Sequence, residues 1–267
     1  MKRIELFEFE DFGWLPKSIR TSLTHLLMVL HKMLGTSSVV AHIIETALKK
    51  TPFSQIIDLG SGSGGAVVNA VQQINKNNKQ LKLVLTDLHP HPDYVKKFND
   101  QQIPHITYSE KPIDATILDQ APVGLKTMMN SFHHIAPQNA KRILKSAQDN
   151  HQPILIYEIG ENFVPTLIWW LMLPISLAIL FIMVLFMTPF VRPLTWKQLL
   201  FTYIIPVIPI IYAWDGQAST MRTYTFEDIK TLIADFKNDN YIWEINKAPK
   251  SNGKYLGYYV LGYPKSS

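Results

Sequence analysis

Apolar residues recur at helical spacing over residues 21–50, at Leu23, Leu26, Leu27, Leu30 and Leu34 and then at Val40, Ile43, Ile44 and Ala47. The phase breaks at Gly35, so the pattern predicts two helices, preceded by an irregular arm over residues 1–20. From residue 53 short apolar runs alternate with helical stretches. Strands are predicted at 56–59, 81–85, 105–108, 127–129 and 153–157, with helices at 64–75, 92–100 and 137–148 between them. After an interruption the rhythm resumes with a helix over 226–237 and strands over 241–247 and 255–263. The turn between those strands is Ser251, Asn252 and Gly253, so they form a hairpin. The class is α/β: an open, doubly wound, mainly parallel sheet with an antiparallel C-terminal hairpin, whose ligand crevice lies at the carboxyl ends of the strands.

The interruption is a hydrophobic insertion. Residues 164–190 contain no ionisable side chain. As a helix they would extend about 40 Å, against a bilayer core of about 30 Å. A second uncharged run, 199–213, carries Pro206 and Pro209 and would reach only about 22 Å. Because the last strands must rejoin a sheet begun at residue 56, the chain crosses a membrane twice or never. Arg192 and Lys197 at the tip would have to be carried across, which favours a monotopic hairpin kinked at Pro174 and lying in one leaflet. A two-pass hairpin and a buried hairpin of a soluble protein are the alternatives. Trp169, Trp170, Trp196 and Trp214 near the ends of the runs favour a lipid interface.

Composition narrows the picture. With 47% hydrophobic and 18% charged residues the chain is a folding one, and without cysteine it has neither disulfides nor a thiol nucleophile. A net charge of +5, from 26 basic and 21 acidic residues with no basic block, does not call for nucleic acid and suits anionic lipid. The amino-terminal stretch is acidic by Glu5 and has no secretory signal pattern, so export is not expected, and the basic residues gathered on the globular part lead us to expect that part on the cytoplasmic side of a membrane.

Residues 56–65, IIDLGSGSGG, run from an apolar strand through glycines into a helix, a pattern that turns backbone amides towards a ligand. Gly60, Gly62 and Gly65 also satisfy the dinucleotide fingerprint G-x-G-x-x-G. Asp58 opposes that reading, since a carboxylate there repels a pyrophosphate and attracts a nucleoside bearing an ammonium and a sulfonium. Taken with Asp87 at the end of LKLVLTD and with Asp114 and Ala115 in KPIDATIL, the chain resembles the class I S-adenosylmethionine-dependent methyltransferases over residues 53–160 and 224–263. A bacterial subfamily with an apolar insertion before the last helix and hairpin is similar in its N-terminal arm and in residues 202–229.

The resemblance implies a Rossmann-like, seven-stranded core at 53–160, completed by 221–267, with an N-terminal arm and cap helices at 1–52 and a membrane-associated insertion and substrate lid at 161–220. It implies S-adenosyl-L-methionine held by Asp58, Gly60, Ser61, Gly62 and Gly64, by Asp87 and Leu88 at the ribose, by Asp114 and Ala115 at the adenine, and by Asn130. Asp119 competes with Asp114. In this fold the end of the fourth strand lies beside the transferable methyl, and here it reads Met129-Asn130-Ser131-Phe132-His133-His134. His133 and His134 are therefore the candidate bases for a phenol, enol or acid nucleophile. Trp14, Arg20, Asp215 and Arg222 are candidates for covering the cofactor or binding a polar head of the substrate. No metal site is expected, since Asp87, His89 and His91 lie where ribose should sit. The expected activity is methyl transfer, chiefly to oxygen, on a quinone-like, isoprenoid or acyl acceptor reached from the bilayer. A non-catalytic nucleoside-binding scaffold and an NAD-dependent reductase are the competing readings.

Overall fold

The computed structural model describes residues 1–77 and 79–265. In chain order the elements are α1 (Lys17–Leu34), α2 (Thr36–Lys50), β1 (Gln55–Leu59), α3 (Gly65–Asn75), β2 (Lys82–Thr86), α4 (Pro92–Asp100), β3 (Ile106–Tyr108), β4 (Leu125–Met129), α5 (Pro137–Asp149) and β5 (Ile154–Glu158). There follow α6 (Thr166–Met187), α7 (Trp196–Leu199), α8 (Val207–Arg222), α9 (Phe226–Ile233), β6 (Tyr241–Pro249) and β7 (Tyr255–Pro264). Contacts divide the chain into two compact units. One is Met1, Gly35–Ile159 and the chain from Phe226 onward, and the other is Lys2–Leu34 with Gly160–Thr225.

The first unit is a seven-stranded sheet in the order β3-β2-β1-β4-β5-β7-β6. Strands β1 to β5 are parallel, as βαβ crossovers require, while β7 runs antiparallel to both β5 and β6. The central strands are buried on both faces: Ile56, Ile57, Leu83, Leu85, Leu125, Leu155 and Tyr157 are all inaccessible, which is why they read as apolar runs rather than alternations. Their core also takes Val39, Val40, Ile43, Ile44 and Ala47 of α2 and Val67, Ala70, Val71 and Ile74 of α3. Gly257 lets β7 close on β5. Its φ is +71°, and a Cβ there would lie 2.0 Å from the Glu158 carbonyl oxygen.

The predicted elements occur close to the expected limits, except that α1 starts at Lys17, inside the stretch expected to be irregular, and α9 stops at Ile233 rather than near 237. Of the two N-terminal helices, α2 groups with the sheet unit and α1 with the unit that contains the insertion.

In the second unit Leu15, Ile19, Leu23, Leu26 and Val29 on and before α1 pack with Val184 and Met187 of α6 and Ile208 and Ile211 of α8. The α6 segment Thr166–Phe190 is, among the described residues, the one unbroken helix long and apolar enough to cross a membrane. It is apolar on every side, yet Leu167, Leu171, Ile175, Ile179 and Phe186 are each more than half exposed. The kink expected at Pro174 is not where the chain breaks: α6 passes through Pro174 as one helix. The sharp bend, 79°, separates Trp196–Ile204 from Val207–Arg222. There a π-helical turn over Leu200–Ile204 precedes Pro206, which lacks the N–H needed to continue the ladder.

The N-terminal arm is stapled to α8. Asp215 accepts from the backbone N–H groups of Phe9 (2.7 Å) and Glu10 (3.2 Å), Trp214 Nε1 donates to the Phe7 carbonyl (2.9 Å), and Arg222 Nε donates to the Leu6 carbonyl (2.6 Å). Arg222 also pairs with Glu8 (3.2 Å) and Asp11 (2.5 Å). Between arm, α6 and α8 lies an apolar groove of about 620 Å³, walled by Phe7, Phe9, Phe181, Ile182, Ile210 and Trp214 among others.

Candidate active site

The crevice is built at the carboxyl ends of β1, β2, β4 and β5. After Leu59 the chain turns through Gly60, Gly62, Gly64 and Gly65, all at positive φ, and then enters α3. A side chain at Gly64 would meet the Phe98 ring at 2.7 Å, so this glycine sets the packing of α3 on α4. Gly60 and Gly62 have no such conflict, and they leave a backbone cradle open at the positive end of an eleven-residue helix.

Asp58 stitches the floor together. It is 3% exposed, and its oxygens accept from Thr127 Oγ1 (2.6 Å) on β4 and Ser61 Oγ (2.7 Å) in the turn. Ser61 Oγ accepts in turn from the Thr86 N–H at the end of β2 (3.0 Å), and Thr86 Oγ1 donates to the Asp58 carbonyl (2.7 Å). Burial pushes the Asp58 carboxyl up to about 6, against the lowering effect of the two hydroxyl bonds, and the charge of Asp87 adds to the rise. Asp58 therefore bears on a ligand through its field rather than through an open oxygen. At the end of β2, Asp87 accepts from the Gly62 N–H (3.2 Å) and the His89 N–H (2.9 Å). Its carbonyl accepts from the Ile113 N–H (2.9 Å), which ties the Asp114 loop to the same edge. Asp114 Oδ1 accepts from the N–H and hydroxyl of Thr116 (2.8 Å each), an Asx turn that sets the loop. Leu88 and Asp119 are exposed.

At the end of β4, Asn130 stands at φ +56°, a region a non-glycine residue occupies at a cost of roughly 1–3 kcal/mol. Two bonds to β5 hold it there: its N–H donates to the Tyr157 carbonyl (2.7 Å), and its side-chain oxygen accepts from the Ile159 N–H (2.8 Å). Asn130 is thus the hinge that aims the segment after it. Ser131 comes next, and its Oγ is shielded from solvent without a hydrogen-bond partner among the described residues. An unmade bond of this kind costs roughly 1–3 kcal/mol.

His133 and His134 follow, and the structure separates them. His133 is buried, its N–H donates to Glu158 Oε1 (3.0 Å), and its Nδ1 lies 2.7 Å from Glu158 Oε2. A carboxylate opposite Nδ1 favours the tautomer carrying the proton there and leaves the lone pair on Nε2. His134 is exposed, its ring centroid 4.1 Å from that of His133. Sequence reasoning missed Glu158 and Thr127. The signal for Glu158 was a lone carboxylate closing an otherwise apolar strand, ILIYE.

The residues expected at the substrate take other partners. Asp215 and Arg222 hold the arm as described, and Arg20 donates to the carbonyls of Glu10 and Phe12. Trp14 is 66% exposed and stacks on Phe12.

No family model matches the sequence, and no curated protein matches it. Solved structures do match. The plantazolicin methyltransferase BpumL, in complex with SAH, aligns over 94% of this chain and 98% of that one, with a TM-score of 0.50 and 9% identity. Human N-acetylserotonin methyltransferase, in complex with SAM, aligns over 94% of this chain and 57% of that one, with a TM-score of 0.49 and 15% identity. LaPhzM aligns over 86% of this chain and 55% of that one, at 0.48 and 18%. This chain thus spans little more than half the length of the last two. The strand order with its reversed β7 and the alignment along nearly the whole of BpumL lead to one conclusion: the chain has the Rossmann-like fold of the class I methyltransferases.

Proposed function

We propose that the protein is an S-adenosylmethionine-dependent methyltransferase that works at a lipid surface and methylates a lipophilic small molecule, chiefly on oxygen. The observation that carries this reading is the pairing of His133, in the turn after β4, with the buried Glu158 at the end of β5. A hydrogen-bonded imidazole at the end of β4 is suited to deprotonating a hydroxyl nucleophile.

The cradle suits the cofactor. Gly60 and Gly62 leave space for close backbone approach, Asp87 is placed to accept from ribose hydroxyls, and the two carboxylates make the floor anionic, which favours a cationic ligand over a diphosphate. The bound cofactor supplies an electrophilic methyl on its sulfonium. The protein's part is to align the acceptor and remove its proton. His133 Nε2 takes that proton from the acceptor hydroxyl, and Glu158 stabilises the imidazolium that results.

Two features support a lipid setting. Exposed apolar residues surround α6, and the groove beside it has no polar wall to satisfy a hydrophilic ligand. The 79° bend in the returning limb favours a hairpin lying within one leaflet, with Arg192 and Lys197 back at the head groups. Calorimetry of the full chain tests the cofactor: micromolar binding of S-adenosylhomocysteine with no binding of NAD is expected, and binding of NAD alone would overturn the assignment. A lipid extract incubated with methyl-deuterated cofactor then tests turnover, since a scaffold would leave every lipid unlabelled.

A further inference from the structure

Resting on the lipid-surface reading, we infer that α1 and the tip of the hydrophobic hairpin form one cationic face that docks on anionic phospholipid head groups. The two are packed together: Ile19, Leu23 and Leu26 of α1 share a core with Val184 and Met187 near the end of α6 and with Val191 just beyond it, and α1 also touches α7. Elsewhere on α1, Lys17, Thr21, Thr24, Met28 and Lys32 follow one another at helical spacing as a stripe, and none of them is buried. The tip itself is held in shape. Tyr203 donates to the Leu185 carbonyl (2.6 Å), the Thr195 hydroxyl accepts from the Gln198 N–H (3.1 Å), and Arg192 Nη1 donates to the carbonyls of Pro189 (2.8 Å) and Val191 (2.7 Å).

Charge names the occupant. No aspartate or glutamate occurs between Phe12 and Leu34 or between Asn162 and Trp214. The cations of those stretches are Lys17, Arg20, Lys32, Arg192 and Lys197, whereas the carboxylates of the same unit are confined to the arm, Glu161 and Asp215. Arg20 is turned to carbonyls of the arm, but Lys32, Arg192 and Lys197 are exposed and have no carboxylate partner among the described residues. Apolar side chains next to them in sequence, Met33, Phe190 and Trp196, are exposed as well, and Lys197 Nζ lies 5.8 Å from the centre of the Trp196 ring. Exposed lysine, arginine and tryptophan beside open apolar side chains match the boundary of an anionic leaflet, where phosphates meet acyl chains. The stripe on α1 also limits depth, because hydrocarbon excludes its lysines and so keeps the attached tip at the level of the head groups.

Sedimentation of the full chain with vesicles of two compositions tests this. The parent should bind equimolar phosphatidylcholine and phosphatidylglycerol about a hundredfold more tightly than phosphatidylcholine alone, and the preference should shrink in high salt. The combined variant Lys32→Gln, Arg192→Gln, Lys197→Gln should lose most of that preference without a change in melting temperature, since all three side chains are exposed. Equal binding of the parent to both vesicles, or a variant that keeps the preference of the parent, would overturn the inference and leave the apolar side of α6 as the lipid contact. A dimer that forms without vesicles and is lost in the variant would assign the face to a second copy of the chain and likewise overturn it. Failure of the parent to bind vesicles of either kind would overturn the lipid-surface reading itself.

Discussion

Glu158 decides what His133 can do. An imidazole alone in a crevice can adopt either tautomer, and half of its orientations aim the lone pair away from a nucleophile. The carboxylate at 2.7 Å from Nδ1 and the backbone bond from the same residue at 3.0 Å remove that freedom. Glu158→Gln keeps the shape but loses the charge that stabilises imidazolium. Turnover should fall by roughly 10²–10⁴, the range for general-base catalysis, while the dissociation constant for S-adenosylhomocysteine stays within about twofold. Rapid-quench kinetics beside calorimetry separate the two readouts, and an unimpaired chemical step would remove the pair from the mechanism. His134, exposed and with its ring tilted against that of its neighbour, should tolerate alanine with far smaller loss.

At the scale of elements, the closure of β7 on β5 fixes where Glu158 ends up. Gly257→Ala forces a methyl group to within 2.0 Å of the Glu158 carbonyl at a φ that disfavours alanine. A loss of several kcal/mol is expected, at the large end of single substitutions, measured as a lowered denaturant midpoint. The arm on α8 gives a second prediction. Burial, followed by the charge of Asp215, raises the Glu10 carboxyl from 4.5 to about 7. A carboxyl raised on folding holds its proton more tightly in the folded state, so its stabilising contribution is complete below pH 4.5 and is lost as pH climbs through about 7. The protection factors of the Phe9 and Glu10 amides, corrected for the intrinsic rise of exchange with pH, should therefore fall over that interval, and Glu10→Gln should make the fall smaller, with Asp215, itself raised to about 7 chiefly by burial, supplying the rest.

These elements also show what the residues alone could reveal. The sheet strands were legible because burial on both faces leaves uninterrupted apolar runs, and the glycine turn because left-handed backbone needs glycine. The partner of His133 was not, since 25 residues separate it from Glu158 and only the β4–β5 pairing unites them. Nor did periodicity show that α1 and α2 go to different units, because the pattern marks a break at Gly35 without saying what each side packs against. Asp215 and Arg222 bond the arm, contacts that only the tertiary structure reveals.

For the whole molecule, the exposed side of α6 is the feature that a watery environment explains least. Leu171, Ile175 and Ile179 are 70%, 54% and 59% exposed, so replacing all three by glutamate should leave the fold intact. The parent chain should sediment with anionic liposomes, and the triple variant should stay in the supernatant with an unchanged melting temperature. Equal sedimentation of both would place the lipid contact elsewhere.

The pairing of β5 with β7 has a further effect on the life of the chain. Ile154 must wait for Gly262, more than a hundred residues later. During synthesis the long apolar α6 leaves the ribosome while the sheet still has an open edge, so the crevice at the ends of β4 and β5 is completed only after that helix has emerged.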